Sequence, residues 1–154
     1  MKESKIKETI EEIFKLTSCS LASLDIKDES NMIWCAIETP DSRFMIGRDG
    51  ETLRSLNHLI QKMLEKDFEE NEVKNILVDI NGYQKKRFDN LKNIAHMMAE
   101  RAKYFKSNIE IDPMPAFERR IIHLFLENDK EIKTESEGEG PNRRVVIKYI
   151  NNQI

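Results

Sequence analysis

The chain has 154 residues, 34% of them charged and 39% hydrophobic, with a formal net charge of −3. That length holds one ordinary domain or two small ones. No apolar run approaches the roughly 18 residues of a membrane span, and Lys and Glu mix through the first twenty residues, unlike a secretory signal. Cys19 and Cys35 cannot build a disulfide framework or a zinc cluster. The expectation is a soluble protein of the reducing cytoplasm with no metal and no cofactor. The charge is uneven. Residues 1–81 carry 11 Lys+Arg against 17 Asp+Glu, residues 82–154 carry 14 against 11, and the segment from Tyr83 to Lys106 carries 7 against 2. Local basic patches, not totals, mark polyanion binding.

Ile6, Ile10, Ile13 and Phe14 recur at helical spacing and predict an amphipathic helix over residues 3–17. Residues 20–28 alternate as a half-buried strand, Asp28-Glu29-Ser30-Asn31 is turn chemistry, and Met32 to Glu38 reads as the second strand of a hairpin ended by Pro40. A short helix over Ser42–Ile46 leads into Gly47-Arg48-Asp49-Gly50. Leu53, Leu56, Leu59, Ile60, Met63 and Leu64 then define a helix reaching about Phe68. Asn75 to Asn81 is a short strand, and the Asn81-Gly82 turn is the candidate boundary between modules at 1–81 and 82–154.

A long helix follows, with Leu91, Ile94, Ala95, Met98, Ala102 and Phe105 on one stripe; its basic residues do not share a face. Ile109 to Ile111 is a short strand and Ala116 to Asn128 a helix. Strands near Glu131–Ser136 and Arg143–Ile150 flank the loop from Glu137 to Asn142. The fold class is α+β, in two modules.

Two features carry chemistry. Gly47-x-x-Gly50 allows a tight turn without side-chain bulk, and the helix that starts there points unpaired amides and a positive dipole end at the loop. Arg43, Arg48 and Arg54 add charge, while the carboxylate of Asp49 works against a phosphate. Flanked by helices inside a helix-strand-strand-helix-helix-strand order, this loop resembles that of a KH domain of type II. Such a loop clamps about four nucleotides of a single strand.

Arg119 and His123 stand four apart, one above the other on their helix, with Phe117, Ile121, Leu124, Phe125 and Asn128 on the opposite arc and the pair at the rim. With Glu118-Arg119-Arg120-Ile121-Ile122-His123, Thr134-Glu135-Ser136-Glu137-Gly138 and Pro141-Asn142-Arg143-Arg144-Val145-Val146-Ile147, the second module resembles an R-three-H domain, a fold associated with single-stranded nucleic acid. Arg143 and Arg144 begin a strand, where alternation sends them to opposite faces, so at most one joins the Arg119–His123 surface.

A KH domain followed by an R-three-H domain is similar to the bacterial Jag (KhpB-type) family. That resemblance implies single-stranded RNA binding, or single-stranded DNA binding, and post-transcriptional regulation in the cytoplasm. It also implies contact with a small single-KH protein and a link to cell elongation. Jag proteins often begin with a further small domain and charged linker, neither of which this sequence shows. Two other readings stand beside it. One is a protein-interaction scaffold using the acidic first helix (Glu3, Glu8, Glu11, Glu12). The other is a phosphodiesterase centred on His123 with Glu118 or Glu127; no Walker, HExxH or GxSxG signature supports catalysis.

Overall fold

A computed structural model describes residues 2–29 and 32–151. The chain divides into two compact units, Met1–Lys85 and Lys86–Ile154.

In the first unit, helix α1 (Lys2–Leu16) buries Ile6, Ile10, Ile13 and Phe14, the stripe its spacing predicts. Strands β1 (Ser23–Glu29) and β2 (Met32–Glu38) pair antiparallel as a hairpin. Ser30 and Asn31 of the expected turn lie outside the described residues. β2 also pairs in parallel with β3 (Ile76–Ile80), giving the order β1-β2-β3. A parallel pair needs a long crossover. It is supplied by α2 (Ser42–Ile46), a single 3-10 turn (Arg48–Gly50), α3 (Glu51–Leu64) and α4 (Glu70–Val73). The crossover departs from the sequence expectation in three places. α3 ends at Leu64, the one-turn α4 was not expected, and Leu59 is exposed.

Asn57 takes a buried position instead. Its Nδ2 donates to the Val78 carbonyl at 3.1 Å, its Oδ1 accepts the Val78 amide at 2.7 Å, and Gln61, one turn on, donates to the Ile76 carbonyl at 3.0 Å. An edge strand presents unpaired backbone groups. Here two helix amides occupy them on β3, and the same bonds fix the helix that begins at the glycine loop. At the far end of β3 the buried carboxylate of Asp79 accepts the amides of Gln84 and Lys85, at 2.7 and 3.3 Å, and so caps the start of α5 (Tyr83–Phe105).

In the second unit α5 buries Phe88, Leu91, Ala95, Ala99 and Ala102, whereas Ile94 and Phe105, expected on that stripe, are exposed. Strands β4 (Ile109–Glu110), β5 (Ile132–Glu137) and β6 (Arg144–Tyr149) form an antiparallel sheet in the order β4-β6-β5. Val145, Val146 and Ile147 are all buried, so both faces of the central strand are covered.

Helix α6 (Ala116–Leu126) buries Glu118, Ile121, Ile122 and Leu126. Leu124 and Phe125, placed by helical geometry on the inward arc, are each 42% exposed. The buried side of α6 is therefore rotated toward the Arg119–His123 stripe, which is half-buried instead of lying at the outer rim. Phe117 meets Phe88 edge-on at 5.7 Å, and the buried Glu118 carboxylate is bonded to Arg87. Glu118 is thus engaged by Arg87. Among the described residues no helix is long and apolar enough to cross a membrane.

Candidate nucleic-acid interface

The glycine loop is built from left-handed backbone. Gly47, Asp49 and Gly50 have φ of 71°, 51° and 74°. At Gly47 an added Cβ would lie 2.1 Å from Thr52 Oγ1, and at Gly50 one would lie 2.9 Å from the ring of Tyr83, so neither position accepts a side chain. Asp is among the few residues that tolerate this conformation, which gives Asp49 a conformational reason to be in the loop. The Asp49 carbonyl accepts a hydrogen bond from Arg54 Nη1 at 3.0 Å. Arg43, Arg48 and Asp49 are exposed, and the first turn of α3 has no side-chain cap at Gly50. The helix start and three arginines bring positive charge to this end of α3, beside the carboxylates of Asp49 and Glu51.

The second feature is made from side chains. Arg119 Nη1 donates to the Met114 carbonyl at 2.7 Å, while its Nε is buried with no hydrogen-bond partner among the described residues. Arg143 stands beside it, with Nη1 donating to the Gly138 carbonyl at 2.8 Å. The two cations line an open cleft of about 480 Å³ with Pro113, Met114, Pro115, Ala116, Gly140 and Pro141. Burial and the neighbouring Arg143 charge both lower the pKa of Arg119. Among the described residues no carboxylate forms an ion pair with either guanidinium, although Asp and Glu outnumber Lys and Arg in the chain.

One turn along α6, His123 is held at both ring nitrogens. Nδ1 lies 2.7 Å from Thr134 Oγ1 and Nε2 lies 2.8 Å from Ser136 Oγ. Thr134 and Ser136 alternate along β5, so both hydroxyls leave the same face. A neutral imidazole donates to one hydroxyl and accepts from the other. Burial first, and the Arg119 charge second, push the His123 pKa below its usual value.

Of the residues singled out from sequence, Gly47, Arg48, Asp49, Gly50, Arg43 and Arg54 belong to the loop and its flanks, and Arg119 and Arg143 meet in the cleft. Arg144 is committed elsewhere: its Nε and Nη2 hold the two oxygens of Glu110 at 2.7 and 3.2 Å. Three supporting residues had no individual role assigned from sequence. Tyr83 packs on Gly50, and Thr134 and Ser136 orient the histidine. The last two stand in the Thr134–Gly138 segment that carries the R-three-H resemblance, and their period-two spacing on a strand puts them on one face.

Residues 89–149 match the family model of the R-three-H domain, so the second unit contains an R-three-H domain. The chain is 30% identical over 146 residues to a Clostridium symbiosum protein named "RNA-binding protein KhpB", covering 94% of this chain and 65% of that one. It is 32% identical over 130 residues to the protein of the same name from Bacillus subtilis, covering 83% and 62%. A Lactiplantibacillus plantarum protein of that name is 30% identical over 126 residues, covering 82% and 38%. Over its matched length the chain is similar to these KhpB proteins. It spans just under two thirds of the length of the first two of these relatives.

Proposed function

We propose that the protein binds single-stranded RNA without catalysis and acts as a post-transcriptional regulator. The observation that carries this reading is the Arg119–Arg143 cleft. A guanidinium with a buried, unbonded Nε stands beside a second arginine, and among the described residues neither has a carboxylate ion-pair partner. Leaving buried donors unmet is costly, and a phosphate oxygen both accepts those hydrogen bonds and neutralises the charge. His123 stands one turn along α6 from Arg119, outside the lining of that cleft, with both ring nitrogens already engaged.

Residues 1–81, on this reading, are a KH domain of type II, and the Gly47–Gly50 loop takes a second stretch of sugar-phosphate. The α-β-β-α-α-β order, the left-handed glycines and the start of α3 without a side-chain cap support it. Residues 82–154, with the long leading helix, are the R-three-H domain. Two modest sites on one chain raise each other's effective concentration for a single strand. The names of the relatives support RNA as the polymer, with single-stranded DNA the competing ligand. The family likeness supports a cytoplasmic setting, a small single-KH protein as partner, and a part in cell elongation.

The test is an anisotropy titration of a mixed-sequence single-stranded RNA, run at several salt concentrations. Arg119→Ala weakens binding and flattens the plot of log affinity against log salt by about 0.7, the counterion release expected of one lost phosphate contact on a single strand. Arg48→Asp weakens binding through the loop. Wild-type protein that fails to bind either RNA or single-stranded DNA would favour the scaffold reading.

A further inference from the structure

We infer that Phe44 is a base-stacking platform attached to the glycine loop, an inference that rests on the nucleic-acid reading of that loop. Phe44 is 75% exposed, although the helix that carries it is firmly seated. Met45, its neighbour, is buried in the core and Ile46 packs against that core. The helix start is tied down as well: the amides of Phe44 and Met45 bond to the Asp41 carbonyl, and the Asp41 carboxylate accepts the Ser20 amide at 2.7 Å. With residue 45 turned inward, helical geometry turns Arg43 and Phe44 out, and both are exposed. The phenyl ring is therefore held in water by its own helix; it is not a side chain that failed to find the core.

Its position relative to the loop gives the ring a use. The Gly47 amide bonds to the Arg43 carbonyl at 3.1 Å, which closes a helical turn from Arg43 to the first glycine. Phe44 lies inside that turn, three residues from Gly47, and residues three apart on a turn are neighbours. A strand whose phosphates rest on the loop amides and on Arg43 or Arg48 has its bases unstacked and splayed. An exposed aromatic face within one turn offers a partner to the nearest base, whatever its identity, because every base has a π-face. The loop supplies charge and hydrogen bonds but no flat apolar surface of its own, since Gly, Arg, Asp and Gly contain no ring. Phe44 supplies that surface.

The experiment compares two strands of equal length, a mixed-sequence single-stranded RNA and the same sugar-phosphate chain made abasic. Binding is followed by anisotropy for wild type, Phe44→Ala and Phe44→Trp, with thermal melts to confirm folding. Phe44→Ala lowers affinity for the base-bearing strand roughly five- to hundredfold, the loss seen when one stacked aromatic is removed. Its affinity for the abasic strand stays at the wild-type value. Phe44→Trp retains affinity, and its added indole fluorescence, after subtraction of the wild-type Trp34 signal, is quenched by the base-bearing strand and not by the abasic one. Equal binding of the base-bearing strand by wild type and Phe44→Ala would overturn the inference while leaving the loop reading intact. Equal losses on both strands would also overturn it, by making Phe44 a support of the loop. A wild type that binds neither strand would overturn the loop reading itself.

Discussion

The two candidate phosphate sites solve one problem with opposite materials. The Gly47–Gly50 loop is made of backbone: left-handed residues, uncapped amides, and arginines mostly at its margin. The Arg119–Arg143 cleft is made of side chains, two guanidinium groups braced by the Met114 and Gly138 carbonyls. The backbone site depends on what cannot be present, because any Cβ at Gly47 or Gly50 collides with Thr52 or Tyr83. The side-chain site depends on its charges staying unpaired: among the described residues no carboxylate forms an ion pair with either guanidinium. A backbone site is therefore the more fragile of the two to added bulk, and a side-chain site the more fragile to loss of a single charge.

The most severe way to probe that contrast is Gly47→Ala. The φ of 71° strains any L-residue, at about 1–3 kcal/mol, and the new methyl overlaps Thr52. The expected outcome is a lowered melting temperature together with a large loss of RNA affinity, both measured on the same preparation. Gly47→Ala combined with Thr52→Ala removes the overlap but keeps the dihedral strain, and so recovers part of the stability. Full recovery would mean that the left-handed backbone is not what makes the loop.

A smaller effect separates the histidine from the arginines beside it. Burial and the Arg119 charge hold His123 below its ordinary pKa, which is about 6.5 in an unfolded chain. Between that value and the lowered native one, the unfolded chain binds more protons. The stability contributed by the neutral ring is present above about pH 6.5 and is lost as pH falls through this window. Denaturant melts from pH 7.5 down to pH 5 check it. His123→Gln, which cannot titrate, shows a shallower decline than wild type. An equal decline in both proteins would place the acid sensitivity elsewhere.

The two sites also differ in how much of them could be read in advance. The glycine loop is a local device, so Gly47-x-x-Gly50 and the helix after it announce the turn, and the hairpin and crossover follow from hydrophobic period. What the sequence concealed were non-local exchanges. Asn57 and Gln61 look like outer-face polar residues, yet they bond the free backbone edge of the buried strand β3, and Asn57 is buried in doing so. Asp49 reads as a misplaced charge and is explained by its dihedral angle. On α6 a helical wheel places Arg119 and His123 at the rim because it counts apolar neighbours on one helix. The buried side is rotated by the burial of Ile122 and of Glu118, the latter bonded to Arg87 of α5. Ile94 and Phe105 fail in the same way on α5, where Ala99 and Phe88 take the inward places. Periodicity finds a stripe but cannot say which neighbour will cover it.

The smallest expected effect draws the sharpest line within the cleft. Arg143 and Arg144 are adjacent and chemically identical, and strand alternation lets at most one of them join the Arg119–His123 surface without saying which. Arg144 already holds Glu110 through two nitrogens, and that pair raises the Arg144 pKa and lowers that of Glu110. Its charge is therefore locally cancelled, whereas the Arg143 charge faces Arg119 and adds to it. Arg143→Ala reduces RNA affinity and the salt dependence of binding, because one uncompensated cation is lost. Arg144→Ala leaves the salt dependence unchanged, since removing a cancelled charge releases no counterion, and because the pair is solvent-exposed its loss alters stability little. Glu110→Gln supplies the converse: it frees Arg144 and strengthens RNA binding at low salt. If Arg144→Ala flattened the salt dependence as much as Arg143→Ala, the Glu110 pair would have to open on binding, and the cleft would hold three phosphate-facing arginines instead of two.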